Sequence, residues 1–259
     1  MPDLSGIQLK TEKEIEVMRA GGRILARVIK ATATAAKIGS KLSELDTLAH
    51  RLIFDAGAKP AFLGYRERSM SEPYPATICA SVNEVIVHAI PSSYRLRSGD
   101  VLKIDVGLIY EGFYLDSART VGIGTISASA RKLVKVTEKA LFDAIRQART
   151  GNTLGDIGFS VKKRVSRAGF HVVKGLTGHG IGRGLHEPPT VLNEGRKGEG
   201  LVIKPGLVIA IEPMVAIGTA NLVLDKRTGG YATVDGSLTA HFEHTVAITK
   251  KGPEILTRA

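Results

Sequence analysis

Two amphipathic segments at the start of the chain predict helices. The first helix is predicted from near Glu12, because apolar residues then recur at helical spacing and Thr11 with Glu14 has the spacing of a capping box. A second helical pattern begins at Leu42 and ends at Gly57, where a glycine suits the end of a helix. We therefore expect a helical pair near the N-terminus.

Strands and further helices are predicted beyond this pair. Residues 62–75 carry Gly64, Pro73 and Pro75 and predict a long loop. Apolar, β-branched runs predict strands over 78–90, 101–109 and 113–123, then helical patterns cover 128–148 and 154–168, and strand patterns return from Leu201 onward. The order helix, helix, strands thus occurs twice.

This repeated order predicts an internal duplication. A shift of 112 residues places the helix and caps of 39–57 onto 151–169 with similar residue types. Nearby shifts bring His88 onto His186 and Asp105 onto Glu212. We expect one α/β domain over 1–259, with two halves of roughly 11–125 and 126–257 related by a pseudo-twofold axis.

The composition is that of a globular protein. The 259 residues are 43% hydrophobic, and no uncharged apolar run is long enough to span a membrane. The first residues lack the pattern of a secretory signal, so a cytoplasmic location is predicted. The lone cysteine, Cys79, excludes an intrachain disulfide and a Cys-rich zinc ribbon. Any metal is therefore expected to bind His and carboxylate side chains.

The charge is strongly basic. Lys and Arg number 36 against 25 Asp and Glu, a net charge of +11, which favours association with polyanions such as RNA. No basic block with interleaved aromatic residues is present, so a basic surface without a nucleic-acid partner is an equal alternative.

Two aspartates flank a predicted hairpin. Asp105 and Asp116 bracket a strand pair whose turn signal is Glu111-Gly112. We expect the two carboxylates nearly opposite on one sheet face, about 4.5–5.5 Å apart at Cβ. Charges that close repel unless a cation lies between them. For either aspartate alone, a solvated strand edge is the alternative.

Two glutamates supply comparable groups in the second half. Glu212 and Glu243 are each embedded in an apolar run that predicts a buried strand. Either alone would suit a structural ion pair, but four buried acids, two from each half, favour a dinuclear metal site. Oxygen ligands with an imidazole suit Mn, Fe, Co or Zn.

Histidines complete the candidate ligands. Five lie in or beside the predicted strands and loops, whereas His50 and His171 are predicted bystanders; the five are His88, His179, His186, His241 and His244. The glycines around His179 lack the spacing of a phosphate-binding loop. They are expected to let the backbone pass close to a metal or substrate.

At this point the chain resembles the type I methionine aminopeptidases, which have the pita-bread fold. The resemblance covers about 11–257 and rests on motifs in the family's order: Asn83-Glu-Val-Ile-Val-His88-Ala-Ile-Pro, Lys103-Ile-Asp105-Val, Leu115-Asp116-Ser, Gly178-His179-Gly-Ile-Gly, Leu185-His186-Glu-Pro-Pro, Ile211-Glu212-Pro-Met and Phe242-Glu243-His-Thr. It implies a curved antiparallel sheet covered by helices.

The resemblance also implies the site. The metal ligands would be Asp105, Asp116, His179, Glu212 and Glu243, holding two divalent ions (Co, Mn, Fe or Zn). Asp116 and Glu243 would bridge both ions, and Glu212 would also relay a proton from the attacking water to the leaving amine. His88 and His186 would be catalytic and substrate-binding groups outside the ligand set.

A pocket for the methionine side chain follows from the same resemblance. Its expected residues are Phe62, Tyr65, Tyr74, Cys79, Leu185 and Tyr231. The chain departs from the family pattern in a longer loop over 64–75 and a shorter segment over 225–231. His241 stands where Gln is common, and the sequence gives it no role.

The implied activity is removal of the initiator methionine from nascent polypeptides with a small second residue. A monomer is expected, with a possible ribosome contact through its basic surface and with no DNA or membrane partner. One alternative is a proline-specific aminopeptidase or dipeptidase, but about 100 residues before Asp105 leave no room for an additional N-terminal domain. Another is a metal-free binding protein of the same fold, against which the five ligands argue.

Overall fold

The computed structural model describes residues 6–66 and 72–258. Within them, four α-helices occur where the sequence predicts helices: α1 (Glu12–Ala35), α2 (Leu42–Asp55), α3 (Ala128–Gln147) and α4 (Leu154–Arg167). α1 begins with the predicted capping box, in which the N–H of Glu14 donates to Thr11 Oγ1 and the N–H of Thr11 donates to the Glu14 carboxylate. None of these helices is long and apolar enough to cross a membrane.

Fifteen strands, most of them short, occur in the described residues outside the helices. In chain order they are β1 (Lys59–Pro60), β2 (Ile78–Val82), β3 (Val85–Val87), β4 (Val101–Tyr110), β5 (Phe113–Gly122), β6 (His171–Val172), β7 (Gly178–Gly180), β8 (Glu187–Val191), β9 (Val208–Ile211), β10 (Met214–Ala216), β11 (Leu222–Leu224), β12 (Tyr231–Thr233), β13 (Thr239–His241), β14 (His244–Thr249) and β15 (Gly252–Ile255). The predicted loop over 62–75 contains no helix or strand in its described part; 67–71 lie outside the described residues.

The first sheet is built on the long strand β4. The whole of β4 pairs antiparallel with β5, and its other edge pairs with β2 and β1. The single strand predicted over 78–90 is wrong, because Asn83 adopts a φ of 55° and separates β2 from β3. β3 instead pairs with β12 in a three-stranded sheet of order β11-β12-β3.

The later strands form a five-stranded sheet of order β15-β14-β9-β7-β8 and a three-stranded sheet of order β13-β10-β6. α1 and α2 pack with the first sheet in one buried apolar cluster, and α3 and α4 pack with β9 and β14 in another. This arrangement repeats helices against a sheet in each half. The bounds of the two halves stay a prediction.

α1 joins the first sheet to the end of the chain. A Cβ at Gly21 would contact Leu115 and Tyr110 of the hairpin, and one at Gly22 would overlap the carbonyl of Leu256. Two adjacent glycines therefore let the helix approach both partners closely, which sets the position of the hairpin that carries the aspartates.

Candidate metal centre

The β4–β5 hairpin carries two of the predicted ligands. Asp105 lies on β4 and Asp116 on β5, and both are buried. The register places Gly107, and not Asp105, opposite Asp116, so the prediction that the aspartates are nearly opposite is wrong. A two-residue turn with positive φ at both positions sets this register. The aspartates are diagonal neighbours on the same face of the hairpin.

The two glutamates lie at breaks between strands. Glu212 falls between β9 and β10, and Glu243 falls between β13 and β14. Both are buried as predicted, but the expectation that each lies inside a strand is wrong. Pro213 has no N–H to continue the ladder after Glu212. The N–H of Glu243 donates across the sheet boundary to Ala118 O at 3.0 Å.

Hydrogen bonds join the hairpin to the second half beside these acids. Ser117 Oγ donates to Glu243 O at 2.8 Å. Thr245 Oγ1 accepts from the N–H of Asp116 at 3.0 Å and donates to Asp116 O at 2.8 Å. The edge of β5 is therefore tied to the strand break that carries Glu243, which brings carboxylates from both halves together.

His179 is held with its Nε2 towards the acids. Its Nδ1 is 2.9 Å from Gly180 O, so the proton lies on Nδ1 and the Nε2 lone pair is available for a metal. Nε2 is 3.4 Å from Glu212 Oε1. Burial and the neighbouring His186 lower the pKa of His179 to about 3, which keeps the ring neutral.

The glycines around His179 let neighbouring backbone approach closely, whereas their expected role beside a metal or substrate stays a prediction. A Cβ at Gly178 would overlap the carbonyl oxygen of Ala210, and one at Gly180 would overlap that of Pro188. Residues with side chains would push β7 away from β8 and β9. The two glycines therefore fix the depth of the histidine between them.

His241 is a member of the cluster that the sequence had left without a role. Its side chain is 1% exposed, and its Nε2 is 3.5 Å from Glu212 Oε2 and 3.9 Å from Glu243 Oε2. Burial lowers its pKa to about 4, so this ring is also neutral. The available signal was its spacing of two residues from Glu243, which in extended chain places both side chains on one face.

Four ionised carboxylates would place more negative charge in this buried site than it tolerates without a cation. Burial raises the pKa of Asp105 to about 6, and it raises the pKa values of Asp116, Glu212 and Glu243 well above their usual range. Neighbouring negative charges add to the shift at three of them. The group is therefore unfavourable as a set of ionised acids without a counter-ion.

The donor set fits divalent cations. Asp105 Oδ1 and Glu243 Oε1 are buried and have no hydrogen-bond partner among the described residues. Ligand atoms within 4.8 Å of one another form two groups that share Glu243; one is Asp116, His179 and Glu243, and the other is Glu212, His241 and Glu243. Oxygen ligands with imidazole are typical of first-row transition-metal sites, and a cation there would satisfy the orphaned oxygens.

Two further histidines were expected to contact the substrate, and the structure places His186 beside this cluster. The ring of His186 is 4.5 Å from that of His179 between centroids, and its Nδ1 is 2.8 Å from the Tyr65 hydroxyl. The ring of His88 lies 5.9 Å from that of Tyr231. His88 has a φ of 63°, a strained conformation for a residue with a side chain, which is frequent at functional positions.

The predicted pocket residues differ in exposure. Four of the six are buried: Phe62, Tyr74, Cys79 and Leu185. Tyr65 is partly buried against His186, whereas Tyr231 is 38% exposed beside His88. The Tyr74 hydroxyl donates to the carbonyl oxygens of Ile78 and Ala89, each 3.0 Å away, which fixes this ring beside β2.

The remaining histidines lie elsewhere. His50 Nδ1 pairs with Thr77 Oγ1 at 3.0 Å, and His171 is exposed on β6. His244 was a candidate ligand, but its Nδ1 pairs with Thr257 Oγ1 at 2.9 Å and its ring lies near Phe142 of α3. It is in neither group of candidate ligand atoms in the described part of the chain.

Comparisons with known proteins agree with this chemistry. A family model described as metallopeptidase family M24 matches residues 16–250. The chain belongs to this family. As an M24 protein with two buried clusters of carboxylate and imidazole groups, it binds divalent metal.

Its M24 relatives include methionine aminopeptidases that match over nearly the full chain. The one from Clostridium acetobutylicum is 44% identical over 252 residues, covering 97% of this chain and 98% of the relative. The one from Aquifex aeolicus is 43% identical over 256 residues, with 97% and 98% covered. The family resemblance predicted from the motifs is confirmed.

Solved structures confirm the predicted pita-bread fold. The methionine aminopeptidase of Thermotoga maritima superposes with a TM-score of 0.93 at 37% identity and covers 98% of this chain and 100% of its own. A prolidase from Pyrococcus furiosus has a TM-score of 0.76 at 24% identity, with 97% of this chain and 65% of its own covered. The second match shows the shared fold alone.

Proposed function

We propose that this protein is a metal-dependent aminopeptidase that removes the initiator methionine from nascent polypeptide chains. The observation that carries the proposal is the convergence of four buried carboxylates and a fixed, neutral His179 beside His186. Similar proteins over nearly the full chain are named methionine aminopeptidases. Residues 1–259 would form a single catalytic domain.

We infer two divalent ions in this centre. Asp116 and Glu243 would bridge them, with Asp105 completing one position and His179 with Glu212 completing the other. Two groups of neighbouring ligand atoms share Glu243, which supports a common carboxylate; His179, which is grouped with Asp116, also lies 3.4 Å from Glu212. Co, Mn, Fe and Zn all suit such ligands.

The residues around the ions would divide the work of hydrolysis. Divalent ions held there supply a water acidic enough to act as a nucleophile near neutral pH. Glu212 would carry the proton from that water to the leaving amine. With Nδ1 accepting from Tyr65, the Nε2–H of His186 would donate to the developing oxyanion, and His88 would hold the scissile amide nitrogen.

The pocket would select the first residue of the substrate. Phe62, Tyr65, Tyr74, Cys79, Leu185 and Tyr231 include no charged side chain, which suits methionine. Crowding beyond the scissile bond would require a small second residue such as Gly, Ala, Ser or Pro. The enzyme would act on nascent N-termini as a monomer in the cytoplasm. It would contact the ribosome through its basic surface.

The two alternatives are not favoured. Prolidases share the fold, but the match to the Pyrococcus furiosus prolidase covers only 65% of that longer chain, whereas the methionine aminopeptidase of Thermotoga maritima is covered completely. A metal-free binding protein has no use for buried carboxylates such as Asp105 and Glu243, each of which has an oxygen without a partner in the described part of the chain.

A peptide pair tests the function. The metal-loaded protein is incubated with Met-Ala-Ser and Met-Leu-Ser, and released methionine is measured beside metal content. We expect cleavage of the first peptide to exceed that of the second by at least about tenfold, because only alanine fits beyond the scissile bond. Equal cleavage, or efficient release of Leu from Leu-Ala-Ser, would contradict the proposed specificity.

A further inference from the structure

His241 is the one side chain in the ligand cluster that the proposed five-ligand set does not use. It lies at the end of β13, directly opposite Met214 of β10, and its backbone is fixed on both sides by Thr120. Thr120 Oγ1 accepts from the N–H of His241 at 2.9 Å and donates to its carbonyl at 2.6 Å. The ring is therefore aimed into the cluster by an ordered backbone.

Neither ring nitrogen has a hydrogen-bond partner among the described residues, although the side chain is only 1% exposed. Its distances to the carboxylates of Glu212 and Glu243, 3.5 and 3.9 Å, exceed those of an ordinary N–H···O hydrogen bond. A buried polar group without a partner is costly. An apolar side chain would be better accommodated here unless the imidazole had another partner.

Glu212 lies between two imidazoles. His179 Nε2 faces its Oε1 at 3.4 Å, and His241 Nε2 faces its Oε2 at 3.5 Å. These separations are typical of two atoms that bind the same cation. They are too long for direct hydrogen bonds. The two rings belong to different groups of ligand atoms, joined through Glu243.

We propose that Nε2 of His241 is a sixth protein ligand of the metal centre, at the position between Glu212 and Glu243. The inference rests on the proposed metallopeptidase function. With His241 bound, the centre has an imidazole in each of its two groups of ligand atoms. Nitrogen ligands favour Zn and Co over Mn, so His241 would shift the metal preference of this protein towards the later metals.

Proton NMR of the Co(II)-loaded native protein tests the proposal, and substitutions then assign the signals. A histidine bound to Co(II) gives a strongly shifted, solvent-exchangeable N–H signal, so His179 and His241 together give two. We expect two signals in the native chain, and His241→Gln should remove one. The control, His244→Gln, alters a neighbouring, partly buried histidine outside the cluster and should keep both signals.

Metal affinity provides a second measurement. After chelation, we expect His241→Gln to bind Zn(II) about tenfold or more weakly, with a smaller change for Mn(II) and none in either for His244→Gln. A single shifted signal in the native chain overturns the proposal even if His241→Gln fails to fold. Native protein that binds Co(II) with one histidine keeps the proposed function, whereas native protein that binds no divalent metal overturns both.

Discussion

The acids of the centre are positioned by two different kinds of backbone structure. Asp105 and Asp116 lie inside ten-residue strands of one regular hairpin, where the ladder fixes both directions. Glu212 and Glu243 lie at breaks between strands of three to six residues. The hairpin positions its carboxylates by its own pairing, whereas the breaks depend on contacts with other elements.

This difference separates local from long-range causes. The hairpin needs only its two-residue turn and the alternation of side chains to place both aspartates on one face. Glu243 is positioned by a hydrogen bond to Ala118 on the hairpin, more than 100 positions earlier in the chain. The second half therefore takes its geometry from the first.

The largest expected effect tests whether the acids of the hairpin and those of the strand breaks belong to one metal centre. Asp116→Ala and Glu243→Ala should each lower kcat/KM by at least about 10³-fold and remove bound metal, because each carboxylate is proposed to bridge both ions. Peptide cleavage and metal analysis on the same samples measure this. If Asp116→Ala kept both metals, the acids of the hairpin and those of the strand breaks would belong to separate sites.

Glu111→Gln is the matched control for the hairpin. It neutralises an exposed acid at the turn of the same strand pair. Its activity and metal content should equal those of the native chain. A loss there would show that the charge of the hairpin as a whole, and not the bridging position, controls metal binding.

The hairpin and the strand breaks also differ in how far the sequence predicts them. The helices and the hairpin follow from periodicity, capping and a turn signal, so the elements carrying Asp105 and Asp116 could be located. The offset between these aspartates required the register. The break at Glu212 carries a signal in Pro213, which cannot continue a ladder, whereas apolar composition does not show that the ladder changes partners at Glu243.

The same limit applied to the histidines. His179 was recognisable because glycines flank it, but His241 and His244 lie in one short segment of similar composition. Their opposite directions depend on the break at Glu243 and on Thr257, which pairs with His244. Only the long-range contacts separate the candidate ligand from the bystander.

The next largest effect concerns the loop that carries His186. Lys10 Nζ lies 2.5 Å from Glu187 Oε2, and both side chains are largely buried. Lys10→Met leaves a buried carboxylate without its cation and should reduce the free energy of unfolding by about 3–5 kcal/mol. Denaturant unfolding measures this, and it tests whether the second half needs the N-terminal segment.

The exposed pair between Lys162 and Glu194 provides the control. Lys162→Met should cost about 1 kcal/mol or less, because water screens this pair. Equal losses in the two variants would mean that the buried pair does not hold the loop. Adding Glu187→Gln to Lys10→Met should recover part of the stability.

The two histidines outside the ligand set should behave unlike the bridging acids. His186→Ala and His88→Ala are each expected to keep bound metal and lose about 10²–10³-fold in kcat, the usual effect of removing an oxyanion donor. Metal content, melting temperature and kcat are measured together. Loss of metal would make that histidine a ligand, and a lower melting temperature with normal kcat would make it structural.

The smallest effect distinguishes the two sides of the strand break at Glu243. Burial, with the positive charges of Arg258 and Arg119, lowers the pKa of His244 to about 4, below the value of about 6.5 for an unfolded chain. From pH 6.5 down to 4 the unfolded chain binds a proton that the folded chain does not, so His244 destabilises the fold as pH falls, by up to about 1.4 kcal/mol per pH unit. In chelated protein His244→Gln should reduce the pH slope of the unfolding free energy by this contribution, whereas exposed His171→Gln should leave the slope unchanged. Unfolding free energies between pH 5 and 7.5 measure the difference, and identical slopes would mean that the His244 side of the break is open to water and not packed against α3.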